Sequence, residues 1–267
     1  MMTTLITGAS SGIGEALAYA CAARGETLFL CGRDKARLKA VAERCEDLLR
    51  RDKSVASPLT GTVTAEVVDV ADAKAVAKWL RKANAVSPID RVFANAGVST
   101  GEETEANVRN TFAINVGGCV NTVLPAIEIF TARQGGYQSA NLSTKPHIVI
   151  TASIAGYGPL KACPSYSATK ACVKTWGLSL RGALAPKGIN VSVACPGFVR
   201  SRITDKNTCP MPFFMEANTA AALILRRVDR NVGLIAFPWP MRFGSWWLST
   251  LPFRVNELIN RLLPKKA

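Results

Sequence analysis

The feature that most limits how this chain can fold is an alternation between two kinds of segment. Short apolar or β-branched runs read as strands: TTLIT from Thr3, TLFLCG from Thr27, VTAEVVD from Val63, DRVFAN from Asp90, HIVITAS from His147, INVSVACP from Ile189 and GLIAFP from Gly233. Between them lie longer stretches of helical pattern, residues 13–24, 34–50, 72–82, 107–130, 165–185 and 216–230. In the first of these Ile13, Ala16, Leu17, Ala20 and Cys21 share a face, and Gly25 stops the helix. A strand that is apolar along most of its length has to be covered on both sides, and strands alternating with helices make a parallel sheet. The expectation is an α/β fold: a parallel sheet of about seven strands with helices on both faces. No repeat, low-complexity tract or linker divides it. Residues 1–237 read as one domain, and 238–267 as an apolar and basic tail that belongs to it or forms an interface or membrane-contact segment.

The first strand runs into LITGASSGIGEALA, which sets Gly8, Gly12 and Gly14 between strand and helix. Glycines fit a sharp turn that a pyrophosphate must approach closely, and the helix N-terminus beyond offers amide donors and the positive end of its dipole. No Lys-Ser or Lys-Thr follows the last glycine, which argues against a P-loop. A second constellation is PSYSATK, where Tyr166 and Lys170 stand one helical turn apart on one face. The chain has a single histidine, so an acid–base residue has to be sought elsewhere. A phenol ordinarily titrates near 10; a neighbouring ammonium would lower it and let Tyr166 act as general acid and base.

The spacing TGxxxGxG, the run FANAG after the fourth strand and YxxxK, in that order, resemble the short-chain dehydrogenase/reductase family from residue 3 to about 237. The resemblance implies a Rossmann-like, doubly wound, single-domain fold, with residues 1–237 as the dinucleotide-binding catalytic domain of an enzyme that binds NAD(H) or NADP(H) and moves a hydride to or from a carbonyl or alcohol. Carried over position by position, it makes Ser153, thirteen residues before Tyr166, the group that holds the substrate oxygen. It makes Asn115 the holder of a water that links Lys170 to solvent, although insertion 133–146 lengthens the spacing from Asn115 to Ser153. Lys170 also bonds the nicotinamide ribose. Asp69 and Val70 match the pair beside the adenine, and Asn95, Ala96 and Gly97 the cofactor floor. Pro196, Gly197, Val199 and Ser201 match the segment that closes on the carboxamide. Ile13 joins the loop residues Gly8, Ser10, Ser11, Gly12 and Gly14 as cofactor-binding.

The choice of cofactor turns on CGRDK. An acid at the end of the second strand would bond the ribose hydroxyls of NAD and repel a 2′-phosphate. Gly32 stands there instead and Arg33 follows, with Ser10 and Ser11 as further donors. NADP(H) is therefore favoured over NAD(H).

Lys and Arg number 33 against 19 acids, a net charge of +14. Its basic residues are interleaved with acids along helices, so nucleic acid is set aside as a partner. The eight cysteines have no metal-like spacing and read as buried thiols in a reducing compartment, and no metal site is expected. The chain opens directly on the first strand, without a basic and apolar leader, so a cytoplasmic location is expected, with peripheral membrane contact as the alternative. His147 is expected at the surface and 133–146 as an exposed loop. Met211, Phe213, Phe214 and Met215 read either as an apolar substrate wall or as a packed lid. The tail carries Trp239, Trp246, Trp247 and Phe253 with Arg242 and Arg254, interrupted by Pro238, Pro240 and Pro252. It reads as a subunit interface, a cover over the substrate, or an anionic-membrane contact. The expected partners are a small carbonyl or alcohol substrate and further copies of the chain, in a homo-oligomeric dimer or tetramer. Two alternatives stand beside this: a cofactor-binding regulatory or scaffold protein without turnover, and a membrane-surface reductase of lipid or acyl-chain ketones.

Overall fold

All seven expected strands form in the computed structural model, which describes residues 1–51, 61–136, 145–205 and 210–262. They are β1 (Thr3–Thr7), β2 (Thr27–Gly32), β3 (Val63–Val67), β4 (Arg91–Ala94), β5 (His147–Thr151), β6 (Asn190–Pro196) and β7 (Leu234–Phe237), in one sheet of order β3-β2-β1-β4-β5-β6-β7. Every pairing is parallel. The strand order reverses between β1 and β4, and at such a switch point the loops leaving the carboxyl ends part to leave a crevice.

Successive side chains of the central strands go to opposite faces, and each face has its own core. Leu5, Val92, Ile148 and Ile150 point one way, with Trp79, Val123 and Phe130 from α3 (Ala73–Val86) and α5 (Gly118–Gly136) and Val173 from α6 (Pro164–Leu184). Ile6, Phe93 and Val149 point the other way, with Leu17, Leu38 and Ile224 from α1 (Gly12–Ala22), α2 (Lys35–Arg51) and α7 (Ala217–Asp229). Burying each such side chain contributes about 1.5–3 kcal/mol, which is why these strands read as continuous apolar runs.

The stretch expected as one helix over 107–130 is α4 (Glu105–Phe112), a π-helical turn at Ala113–Gly117, and α5. A π turn takes an extra residue and commonly marks a functional site; Asn115 sits in this one. α5 continues to Gly136, so Arg133 is helical rather than in a loop, and its guanidinium donates to the Ile89 carbonyl and Asp90 Oδ1. The core of the expected loop, 137–144, and Cys209 lie outside the described residues. Among the described cysteines, Cys21, Cys31, Cys45, Cys119 and Cys195 are buried free thiols, and burial pushes Cys31, Cys45, Cys119 and Cys195 up to about 12.

His147 is not a surface residue. It opens β5, is buried, and its Nε2 lies 2.9 Å from Ser192 Oγ. Ser192 spends its own proton on the Val232 carbonyl at 2.7 Å, so His147 Nε2 is the donor. Burial, with Arg91 and Arg181 close by, lowers its pKa to about 4. A buried ion pair lies at the same end of the sheet, Arg91 Nη2 to Glu26 Oε1 at 2.6 Å.

The prolines of the tail start and separate helices rather than break them. Pro238 and Pro240 open α8 (Trp239–Thr250), where a missing N–H costs nothing, and Pro252 stands between α8 and α9 (Phe253–Leu262). α8 packs back on the single 3₁₀ turn Ile154–Tyr157 that follows β5.

Candidate active site

A cleft of about 630 Å³ opens at the carboxyl ends of the strands, across the switch point. One wall begins with the loop after β1. Gly8 has φ of +67° and Gly12 of +60°, left-handed backbone that favours glycine. A Cβ on Gly8 would come within 2.7 Å of Ala96 Cα. Gly14 does not line the cleft; a Cβ there would collide with the Gly8 carbonyl and lie 2.6 Å from Asn95 Nδ2. Gly14 therefore allows α1 to lie close under the loop, with its N-terminus toward the cleft.

Asn95 ties three strand ends together. Its Nδ2 donates to the Thr7 carbonyl at 3.1 Å, its backbone N–H to Thr7 Oγ1, and its Oδ1 accepts from Thr151 Oγ1 at 3.2 Å. Ala96 and Gly97 continue this floor.

Around the end of β2 the cleft is lined by Ser10, Ser11, Gly32, Arg33, Asp34 and Arg37. A side chain at position 32 would press on Ser10, whose Oγ lies 3.0 Å from the place of its Cβ. Arg33 is exposed. The motif reading missed Arg37. Its Nη2 pairs with Asp34 Oδ2 at 2.7 Å, while its Nε is buried and has no protein partner among the described residues. Arg202, from the loop after β6, lines the same cleft. The signal for Arg37 was present as the third residue after Asp34, one turn into α2 and on the side of that N-capping acid.

Val68 and Val70 line the cleft, but Asp69 does not. It is exposed, and its Oδ1 turns back to the Ala71 N–H at 3.0 Å.

At the opposite end Ser153, Tyr166 and Lys170 share one wall with Pro196, Gly197, Val199 and Ser201. Ser153 caps the turn after β5, its Oγ accepting from the Ala155 N–H at 3.1 Å. Pro164 opens α6, and Glu103 from the segment after β4 accepts from the Ser165 N–H and Oγ, the latter at 2.8 Å. Lys170 Nζ donates to the Thr151 carbonyl at 2.8 Å and stands 5.7 Å from the centre of the Tyr166 ring. Asn115 lies behind the wall. Its Nδ2 donates to Val98 O and Thr169 Oγ1, and its Oδ1 accepts from Val98 N. A Cβ on Gly97 would lie 3.2 Å from Lys170 Nζ and 3.3 Å from Asn115 Oδ1, so the insertion does not separate Asn115 from the site.

The electrostatics differ from the expectation of a lowered phenol. Burial pushes Tyr166 up to about 12, against a hydrogen bond with Ser153 that works the other way, and Lys170 does not overcome it. Lys170 is itself brought down to about 8 by burial. At neutral pH the site holds a protonated phenol beside a lysine poised near its own titration.

Met211, Phe213, Phe214 and Met215, read as a substrate wall or a packed lid, do not line the cleft. Phe213 is exposed, Arg200 stacks on Phe214 with its guanidinium 5.2 Å from the ring centre, and Met215 pairs with Val199. Val98, Ser99, Thr100, Ile114 and Ile203 line it instead. Among the described residues no group of three or more His, Cys, Asp or Glu could hold a metal.

Comparison with known proteins agrees with this arrangement. The family model described as short chain dehydrogenase matches residues 2–210. An uncharacterized oxidoreductase of Myxococcus xanthus is 34% identical over 257 residues, covering 94% of this chain and 92% of that protein. A short-chain dehydrogenase from Sphingobium yanoikuyae in complex with NADPH superposes with a TM-score of 0.75 at 25% identity, over 95% of this chain and 97% of that one. One from Burkholderia phymatum in complex with NAD does so at 0.78 and 21% identity, over 100% and 98%. A glycine turn at the sheet's reversal and a serine, tyrosine and lysine on the facing wall thus come with kinship along almost the whole sequence, and the chain belongs to the short-chain dehydrogenase/reductase family of oxidoreductases acting on CH–OH and carbonyl groups.

Proposed function

We propose that this oxidoreductase uses NADP(H) and a carbonyl or alcohol substrate of apolar character, with Tyr166 as the acid–base residue. The observation that carries the reading is Tyr166, hydrogen-bonded to Ser153 and facing the same cleft as the glycine loop. The dinucleotide, when bound, supplies or accepts the hydride. The rest falls to the chain's own side chains. Ser153 Oγ holds the substrate oxygen, and the Tyr166 hydroxyl gives it a proton in reduction or takes one in oxidation. Lys170, fixed by the Thr151 carbonyl, holds positive charge beside the phenol.

The residues present fit a dinucleotide. Backbone at Gly8 and Gly12 that favours glycine borders the place of a pyrophosphate, and around the end of β2 the Arg37 Nε has no protein partner among the described residues. Arg33, Arg37 and Arg202 on one end of the cleft support the 2′-phosphate and hence NADP(H) over NAD(H). Val98, Ile114 and Ile203 support an apolar substrate. Exposed Phe112, Leu124 and Leu178 support a homo-oligomer, which light scattering measures directly.

The test is a titration with NADPH and with NADH, followed by nicotinamide fluorescence, on wild type, Arg33→Ala and Arg37→Ala. Preferential NADPH binding that weakens about tenfold in each variant, with NADH binding unchanged, is expected. Equal NADH binding overturns the cofactor assignment. Tight binding of either dinucleotide without turnover of any ketone or alcohol in a broad screen favours a regulatory protein that keeps the fold.

A further inference from the structure

Helix α8 has its apolar side outward. Trp239, Phe243, Trp246 and Trp247 are 74%, 55%, 52% and 50% exposed. Their spacing of four, seven and eight residues puts them on one face, with the Phe243 and Trp246 rings 5.9 Å apart. Met241, Ser245 and Leu248 are the half-buried side, with Met241 against Gly197. A soluble helix has the opposite arrangement. Val255 and Leu258 of α9 add exposed apolar surface in the next helix.

Charge narrows the occupant. Arg242 is exposed on the flank of the same face, and Arg254 is exposed on α9. Residues 238–267 carry Arg242, Arg254, Arg261, Lys265 and Lys266 against Glu257 alone, a net +4 within a chain of net +14. A second copy docking through this face would bring like charge against like. An anionic lipid surface matches both properties, since tryptophan and phenylalanine settle at the headgroup boundary while arginine and lysine meet the phosphates.

We propose that the outer face of α8 docks the protein on an anionic bilayer. The inner face of the same helix backs the active site. It packs on the turn Ile154–Tyr157, directly after Ser153, and a Cβ on Gly197 of the cleft wall would lie 3.0 Å from both Met241 Sδ and Pro238 Cδ. Docking therefore leaves about one helix diameter, roughly 10 Å, between the lipid and that wall. An apolar substrate then reaches the cleft from the membrane rather than through water. That delivery role rests on the proposed carbonyl/alcohol reading; the docking itself does not.

The experiment is sedimentation of the full chain with vesicles of phosphatidylcholine alone and of phosphatidylcholine with phosphatidylserine. Wild type is expected to sediment with the anionic vesicles and to be released when salt rises from about 0.1 M to about 1 M, which shortens the screening distance from about 10 Å to about 3 Å. Phe243→Ser/Trp246→Ser/Trp247→Ser is expected to lose binding about tenfold or more. Arg242→Glu/Arg254→Glu, which keeps the aromatic face, is expected to lose the preference for anionic lipid. Both variants are checked for retained thermal unfolding and unchanged mass by light scattering. Wild type that stays in the supernatant with anionic vesicles overturns the proposal. So does a serine variant that binds like wild type, or one whose only change is to dissociate a wild-type oligomer. Because vesicle binding needs no turnover, its failure leaves the oxidoreductase reading standing, and failure of turnover leaves docking standing.

Discussion

Glu103 closes its carboxylate over the first turn of α6, accepting from both the N–H and the hydroxyl of Ser165, the residue next to Tyr166. The helix that carries Tyr166 and Lys170 is thus capped from the segment after β4, because the Cys163 side chain at the cap position makes no capping bond to the helix N–H groups. Glu103 is a positioning residue. Glu103→Ala is expected to cost about 1 kcal/mol of stability, as lost caps do. It should lower kcat about tenfold while dissociation constants for the dinucleotide stay near wild type, and Glu103→Gln should recover part of kcat. Thermal unfolding and steady-state kinetics check both.

Tyr166→Phe keeps the ring and removes the proton. Turnover should fall about 10²–10⁴-fold in either direction, with cofactor binding retained. The pH dependence carries its own sign. The phenol is pushed up to about 12, so it stays protonated through neutral pH and supplies the acid for reduction. Lys170 is brought down to about 8 and loses its charge above that pH. In wild type, kcat/KM for carbonyl reduction should hold through neutrality and decline above about pH 8. Lys170→Arg, which keeps its charge, should move that decline to higher pH.

Gly14→Ala tests the close approach of α1. Its Cβ has no room between the Gly8 carbonyl and Asn95 Nδ2. The loop and Asn95 must move, and about 1–3 kcal/mol of stability should go with them. A drop of about tenfold or more in dinucleotide affinity is expected; Gly101→Ala, where no atom lies within 4 Å, is the control.

His147 makes the fold sensitive to acid. Its folded pKa, about 4, lies below the ordinary 6.5. Protonation therefore favours the unfolded chain: the stabilisation is complete above about pH 6.5 and is lost as the pH falls toward 4. The difference corresponds to about 3 kcal/mol. Denaturant unfolding at several pH values should show that slope in wild type. His147→Gln, which can still donate to Ser192, should lack it.

The strands were legible because burial on both faces leaves a run such as IVI or VSVA no polar face to disguise it. The loop glycines and Tyr166–Lys170 were legible because their spacing is local. What stayed hidden is set by neighbours distant in sequence. His147 reads as a polar residue at a strand edge until Ser192, 45 residues away, is found beside it. Arg37 looks like any charge on an amphipathic helix until its Nε proves buried against the cleft. Asn115 needed a π turn, which no local pattern announces, and the high Tyr166 pKa reflects how deeply α6 packs. In the tail, the prolines were recognised as helix breakers, but their other use, starting a helix, depends on where the chain leaves β7.

Because all seven strands run the same way, their two ends serve different purposes. The starting edge holds the Glu26–Arg91 pair and the His147–Ser192 bond, sealed from solvent and remote from the cleft. It works as a keel. The finishing edge holds the loops that line the cleft, where residues such as Ser99, Thr100 and Ile203 can be exchanged without touching that keel. Heritable change at the keel should surface as altered protein yield in the cell, and at those lining positions as altered chemistry, so that this chain can drift toward new substrates while its architecture stands still.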